Sequence, residues 1–202
     1  MLDVVSFAVI SGLTIFVLII TMPQTPDFFM IVVFLFLLVP TIVALLQGAP
    51  FVPTPMNAAK KMIKIAGIKK DQKVVDIGCG DGRLVYIAAN NYGAQAVGFE
   101  LSPIVWCLAK LRKLFWRSKA KIKFGDFRMH DLSSTDFIVC YMLPETLKKF
   151  VPKFEKELKK GAKVISYAFH IAGWAPVYIE PSSPKENISQ IMVYEIGKQY
   201  DE

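Results

Sequence analysis

The chain has 202 residues, 53% of them hydrophobic, and carries 24 Lys and Arg against 17 Asp and Glu, a net charge of +7. The absence of internal repeats excludes solenoid and propeller architectures. The three cysteines form no C-x-x-C pair, which excludes a zinc ribbon, a metal centre of that type and a disulfide scaffold.

Residues 4–22 and 28–47 are apolar runs without a charged side chain, each close to the roughly 20 residues that take a helix across a bilayer core. Pro23-Gln24-Thr25-Pro26-Asp27 separates them as a polar turn whose prolines stop one helix and start the next. Met1-Leu2-Asp3 lacks the basic start of a signal peptide, and a second run follows at once. The expectation is therefore a two-span anchor over residues 1–49, its second span kinked at Pro40, with the lipid bilayer as partner. Every Lys and Arg follows residue 50, and Asp3 and Asp27 are the only acids before it. The positive-inside rule then puts residues 50–202 on the cytoplasmic side of an integral, multi-pass protein.

Phe51-Val52-Pro53-Thr54-Pro55 is the junction. Thr54 is expected to N-cap a helix with Pro55 at its first position, and Ala59, Met62, Ile63 and Ala66 form its inward stripe up to Gly67. Strands and helices then alternate: strand 73–77, helix 82–91, strand 95–99, helix 103–117, strand 120–124, strand 135–142, helix 144–160, strand 162–169 and strand 190–196. This order predicts an α/β domain of roughly 150 residues, Rossmann-like, with a mostly parallel sheet and helices on both faces. The last strand follows a loop and is expected to run antiparallel. In helix 103–117, Ile104, Leu108, Leu111 and Phe115 are the expected buried stripe. Trp106, Lys110, Lys113 and Arg117 form a second stripe, facing water or anionic headgroups. In helix 144–160, Leu147, Val151, Phe154 and Leu158 face the core, Pro152 is expected to split the helix, and Gly161 to cap it. Cys79, Cys107 and Cys140 are expected to be packing residues.

The chemistry-bearing segment is Val74-Val75-Asp76-Ile77-Gly78-Cys79-Gly80-Asp81-Gly82-Arg83. An apolar strand ends in Asp76 and turns through three glycines into a helix. Glycines there let the backbone approach a ligand closely, and their amides form a concave nest at the helix start. The next strand, Ala96-Val97-Gly98-Phe99-Glu100, ends in an acid suited to both ribose hydroxyls of a nucleoside. Asp126 ends a third strand, where it could meet an adenine amino group; Leu101 and Phe127 adjoin these acids as cofactor-binding candidates. Asp81 is expected to fix the loop or to touch the amino group of a methionine moiety. Three acids at successive strand ends resemble the cofactor site of class I S-adenosylmethionine (SAM) methyltransferases. A cationic sulfonium tolerates such acids better than a pyrophosphate would.

The order of motifs adds a more specific likeness. The two-proline junction, D-I-G-C-G-D-G-R, A-V-G-F-E-L-S-P, the P-E-T-L and E-K-E-L-K-K-G-A-K-V-I-S segments and a late G-W-A-P together resemble the membrane-anchored lysine methyltransferases. That family includes the enzymes acting on the ATP synthase c-subunit and on the adenine nucleotide translocase. The resemblance covers about residues 48–197. It implies SAM as cofactor, a membrane-protein lysine as acceptor, and a cofactor entrance near Phe51, Pro53 and Thr54. It also carries Asp76, Gly78, Cys79, Gly80, Gly82 and Glu100 over as cofactor-binding positions. Tyr141, at the mouth of the fourth strand, is the candidate neighbour of both cofactor and acceptor amine, and His170 lies on the same rim as a second catalytic candidate. Trp174 either walls an acceptor channel or plugs the sheet end, while His130 reads as a surface loop residue. A lipid-soluble small-molecule acceptor and a non-catalytic SAM-binding assembly factor remain alternatives. No aromatic stacking platform is visible, so nucleic acid is not an expected partner.

Overall fold

The computed structural model describes Val17, residues 26–46 and residues 51–200. The first apolar run, 4–22, falls outside the described residues apart from Val17. The second corresponds to helix α1, Pro26–Leu46, which is continuous across Pro40. Over the residues whose side chains are described, no helix is long and apolar enough to cross a membrane. The backbone of α1 runs 21 residues.

From residue 56 the chain alternates helix and strand. α2 (Met56–Ala66) precedes β1 (Lys73–Ile77), α3 (Arg83–Tyr92), β2 (Gln95–Glu100), α4 (Pro103–Phe115) and β3 (Lys121–Phe124). β4 (Phe137–Cys140), α5 (Pro144–Glu157), β5 (Lys163–Tyr167), β6 (Tyr178–Glu180) and β7 (Ile191–Glu195) complete it. The seven strands form one sheet in the order β3-β2-β1-β4-β5-β7-β6. β1 to β5 are parallel, β7 runs antiparallel to β5 as expected, and β6, which the sequence pattern did not reveal, pairs antiparallel with β7. β6 is three residues long and largely exposed, too short for a period-two pattern to register.

Successive residues of the central strands point to opposite faces. Val74, Val139 and Ile165 pack with α2 and α3, whereas Val75, Ile138 and Val164 pack with α5. Two apolar layers therefore sandwich the sheet, and they leave its C-terminal edge open for the loops after β1, β2 and β4. α2 buries Ala59, Met62, Ile63 and Ala66 as expected, and Ala58 besides. Its start differs from expectation. Pro55 is the N-cap and the helix begins at Met56 with no side-chain capping bond, because Thr54 is buried and its carbonyl is held elsewhere, by Arg83. α5 stays one helix through Pro152 and ends at Glu157. Gly161 lies in the turn beyond it, with φ +83.

The largest correction concerns α4. Ser102 caps it by accepting from the Val105 amide, with Pro103 in the first turn. Yet Ile104, Leu108, Leu111 and Phe115 are exposed, and Ala109 is the helix's only buried residue. The sheet is reached through the alanine side, where the backbone comes close, so the long apolar residues point away. Cys107 is exposed on the same helix, while Cys79 and Cys140 are buried. α1 packs against α4.

Candidate active site

The β1–α3 turn is set by backbone geometry. Gly78, Gly80 and Gly82 have φ of +91, +55 and +83, a region costly for residues with a Cβ. The loop is also tightly covered. A Cβ on Gly80 would fall 2.7 Å from Cε2 of Phe51, and one on Gly82 would fall 2.4 Å from the Tyr86 ring. Gly98, in β2, is required by the same loop: a Cβ there would lie 2.7 Å from Cys79 Sγ. The Gly78 and Cys79 amides donate to the Phe99 carbonyl at 2.9 and 2.8 Å, stitching the loop to the second strand.

Three acids converge on this loop. Glu100 accepts from the Gly80 amide at 2.9 Å and from the Ser102 amide at 2.8 Å. Burial raises its carboxyl above the usual range, against those lowering backbone bonds. Asp76 is 2% exposed, and one of its carboxylate oxygens, Oδ2, has no partner. Burial, then the charges of Glu100 and Asp81, push its carboxyl well above the usual range. Asp81 behaves oppositely. Burial alone would raise it, but the Arg83 and Arg112 guanidiniums hold it below the usual range. Arg83 donates from Nε to Asp81 Oδ1 at 2.9 Å and also reaches the Thr54 carbonyl; Arg112, from α4, pairs with Asp81 Oδ2.

Arg83 and Arg112 are thus the structural residues that sequence reasoning missed. Arg83 clamps the junction onto the glycine loop, and together with Phe51 this brings residues 51–54 to the loop, Pro53 being exposed beside the buried Thr54. The D-x-R spacing could have signalled the Asp81–Arg83 pair. Nothing local could have signalled Arg112, which lies 31 residues from Asp81.

The acid that follows β3 sits apart from these three. Asp126 caps a short 3-10 turn and accepts from Arg128 at its amide (2.8 Å) and Nε (2.7 Å), so both oxygens are engaged. Phe127 is a core ring, edge-on to Phe150 at 4.7 Å, and Leu101 is half-buried beside Glu100.

On the acceptor side, Tyr141 is half-buried after β4, edge-on to Tyr167 at 4.9 Å and stacked with Phe169 at 6.1 Å. Ala168, between those two rings in sequence, has φ +67. His170 is exposed, its Nε2 3.0 Å from Gln190 Oε1. Trp174 resolves toward the plug: it is buried, donates to Glu155 at 3.0 Å, and packs near Tyr194 and Phe154. His130 is half-buried rather than a free surface residue, its ring 4.5 Å from that of Phe99.

A glycine loop held at positive φ and packed too closely for any Cβ, beside a buried carboxylate with an unpartnered oxygen, suits a cationic nucleoside-type ligand such as SAM. It suits a pyrophosphate poorly, because the acids would repel it.

Comparison with known proteins extends these observations. The ANTKMT methyltransferase domain is recognised over residues 76–178. A protein-lysine N-methyltransferase from Saccharolobus islandicus is 34% identical over 152 residues, covering 74% of this chain and 94% of that protein. The human ATP synthase C-subunit lysine N-methyltransferase is 33% identical over 134 residues, covering 64% of this chain; the chain spans 56% of the human protein's length. Among solved structures, an RNA methyltransferase from Salinibacter ruber in complex with S-adenosyl-L-homocysteine superposes with a TM-score of 0.68 at 27% identity. It covers 75% of this chain and 97% of that one.

Proposed function

The chain belongs to the ANTKMT methyltransferase family and is a SAM-dependent methyltransferase, and from that premise we propose that it methylates a lysine of a membrane protein while itself held at the membrane. The observation that carries the cofactor half is the loop geometry: Gly80 under Phe51 and Gly78 against Met142, tied to Glu100 through the Gly80 amide, beside the orphaned Oδ2 of Asp76. Asp76, Gly78, Gly80 and Glu100 would hold the cofactor, with Cys79, Asp81 and Gly82 shaping the loop. Pro53 and Thr54 would border its entrance, and Leu101 and Asp126 would lie toward the base. When bound, SAM supplies an electrophilic methyl group. The chain's part is to align the acceptor and keep water out.

The lysine assignment is supported by the Saccharolobus islandicus relative, whose length this chain nearly spans. Tyr141, stacked against Phe169, would present a hydroxyl and an aromatic face to the acceptor amine, a surface suited to an ammonium and its methylated products; His170 flanks it.

The membrane half is supported by the N-terminal sequence. α1 has 21 residues, about 31 Å of helix, matching a bilayer core of roughly 30 Å, and Asp27 is its only charged residue. Together with the apolar sequence of residues 4–22 this supports reading residues 1–49 as a two-span anchor and residues 50–202 as the catalytic domain, on the cytoplasmic side by the basic flank. Confinement raises the effective concentration of membrane-embedded targets, an advantage that freely diffusing substrates would not need.

The test is transfer of tritiated methyl from SAM by the full chain to native membranes and to soluble extract, with Glu100→Ala as control. Label on a membrane protein, absent from the extract and the control, is expected. Label in an organic extract would point to a lipid-soluble acceptor, and label released by ribonuclease to RNA, as the Salinibacter ruber likeness would have it. In the control, SAM affinity should fall by about 1.5–3 kcal/mol, the worth of a charge-assisted hydrogen bond. Unchanged affinity by calorimetry would remove Glu100 from the site.

A further inference from the structure

Helix α4 shows an apolar stripe to the outside. Ile104, Leu108, Leu111, Leu114 and Phe115 are all exposed, Leu114 at 72% and Phe115 at 84%. They recur at the three- and four-residue spacing of one helix face. Phe124, at the end of the edge strand β3, is exposed as well, edge-on to Trp106 at 5.8 Å. An outward stripe of this size is unusual on a water-facing surface and marks a contact.

Two further observations say with what. First, α1 rests against α4 and exposes Phe29, Met30, Ile31 and Phe34, so the apolar surface of α4 continues into that of the helix assigned above to the bilayer. Second, the C-terminal end of α4 opens onto a groove of about 940 Å³ whose lining includes Lys70, Arg117, Lys119, Lys121 and Lys123. None of these five forms an ion pair among the described residues. Lys73 also lines the groove, and the acids Asp71 and Asp131 are its only carboxylates. An apolar helix face ending in unpaired cations is the composition of an element that lies in the headgroup region, its apolar side chains in the acyl boundary and its cations on phosphates.

We propose that the outward face of α4 and the basic groove at its end dock onto an anionic bilayer surface, so that the catalytic domain lies against the membrane rather than hanging from its anchor. This rests on the membrane reading above. α4 begins three residues after Glu100 and ends beside the groove, where β1 and β3 start, so the helix lying flat on the lipid would bring its first turn, and with it one side of the cofactor site, within reach of a lysine at the membrane interface. A second copy of the chain covering the stripe would need apolar area but not the cations, which favours lipid.

The experiment uses the full chain carrying Cys107→Ser, with Phe115→Cys labelled by an environment-sensitive fluorophore. Cys79 and Cys140 are buried and stay unlabelled. A second protein carries the label through Lys198→Cys, beyond β7 and toward the opposite edge of the sheet from β3. Both are reconstituted into phosphatidylcholine vesicles with and without phosphatidylglycerol, containing spin-labelled lipid, and flotation is measured on the same samples. Expected is flotation of both proteins, with blue-shifted, quenched emission at position 115 alone. That quenching should weaken in neutral vesicles, or when Arg117, Lys119 and Lys121 are each changed to Gln, without release from the vesicles. Flotation with position 115 as water-exposed as 198 would overturn docking and leave the anchor intact. Failure to float would overturn the membrane reading and docking with it. A concentration-dependent shift at 115 in detergent, persisting in neutral vesicles, would assign the face to a second copy and overturn the lipid assignment.

Discussion

α4 and α5 look alike in sequence and differ in the fold. Each carries an apolar stripe at helical spacing, lysines on the other side, and a proline in the first turn. α5 buries Leu147, Phe150 and Phe154 against the sheet, while α4 buries only Ala109. Periodicity reports that a helix has an apolar face and which residues form it; it is silent on what covers that face. α5 is attached by side chains that fill a core. α4 is attached by a small residue that lets its backbone approach, by Tyr86, whose hydroxyl donates to the Ala109 carbonyl at 2.5 Å, and by the pairing of Arg112 with Asp81.

The sharpest way to break this contrast is to truncate one aromatic on each helix. Phe154→Ala removes a ring that is fully buried and should cost about 3–5 kcal/mol. Phe115→Ala removes one that is mostly in the open and should change stability by no more than about 0.5 kcal/mol. Urea melts of the two variants in detergent give both numbers. Comparable losses would mean that the α4 stripe is covered within a single chain after all.

Next in size is the small residue that seats α4. Ala109 has no exposed surface, and Ala109→Leu would push the helix off the Tyr86 hydroxyl below it. Overpacking of this kind costs about 1–3 kcal/mol. A change on the neighbouring stripe, Leu108→Ala, should be close to neutral in the same melts. The reverse ranking would show that the apolar stripe, not the alanine, is the buried side.

How much could be read from the chain alone follows the same division. Local patterns were legible: the strand–glycine–helix turn at Asp76–Arg83, the acids ending β1 and β2, the alternation that makes the sheet parallel, and the inward stripes of α2 and α5. Each is written within a dozen residues and needs no partner to be recognised. The long-range facts were not. That Phe51 lies on Gly80, that Gly98 leaves room for Cys79, that Trp174 plugs the layer beneath β7, and that the α4 stripe faces outward all depend on segments far apart in sequence. The site shares this split. Asp76 and Glu100 were visible as strand-end acids, but the orphaned oxygen of one and the amide partners of the other are properties of the assembled loop. Asp126 illustrates the cost: its position was legible, its engagement by Arg128 was not.

The smallest expected effect tests the polar tie between the two layers of the contrast. Asp81 sits below the usual carboxylate range because Arg83 and Arg112 outweigh the opposing cost of burial. A carboxylate with a depressed folded-state value stabilises the fold above its unfolded value, near 3.8, and loses that contribution as pH falls through the folded value. Arg112→Met takes away one of the two cations while keeping the aliphatic bulk that covers the loop. Arg112 is about one-third exposed, 35% for its side chain, and Arg83 remains, so the loss at neutral pH should be about 1 kcal/mol or less. The variant's deficit should be present at neutral pH and fade once Asp81 is protonated in both proteins, because the missing cation then has no charge to meet. A deficit that persists unchanged in acid would mean that Arg112 holds α4 by packing. The helix would then be attached by side-chain contact, as α5 is, and the contrast between the two would reduce to one of degree.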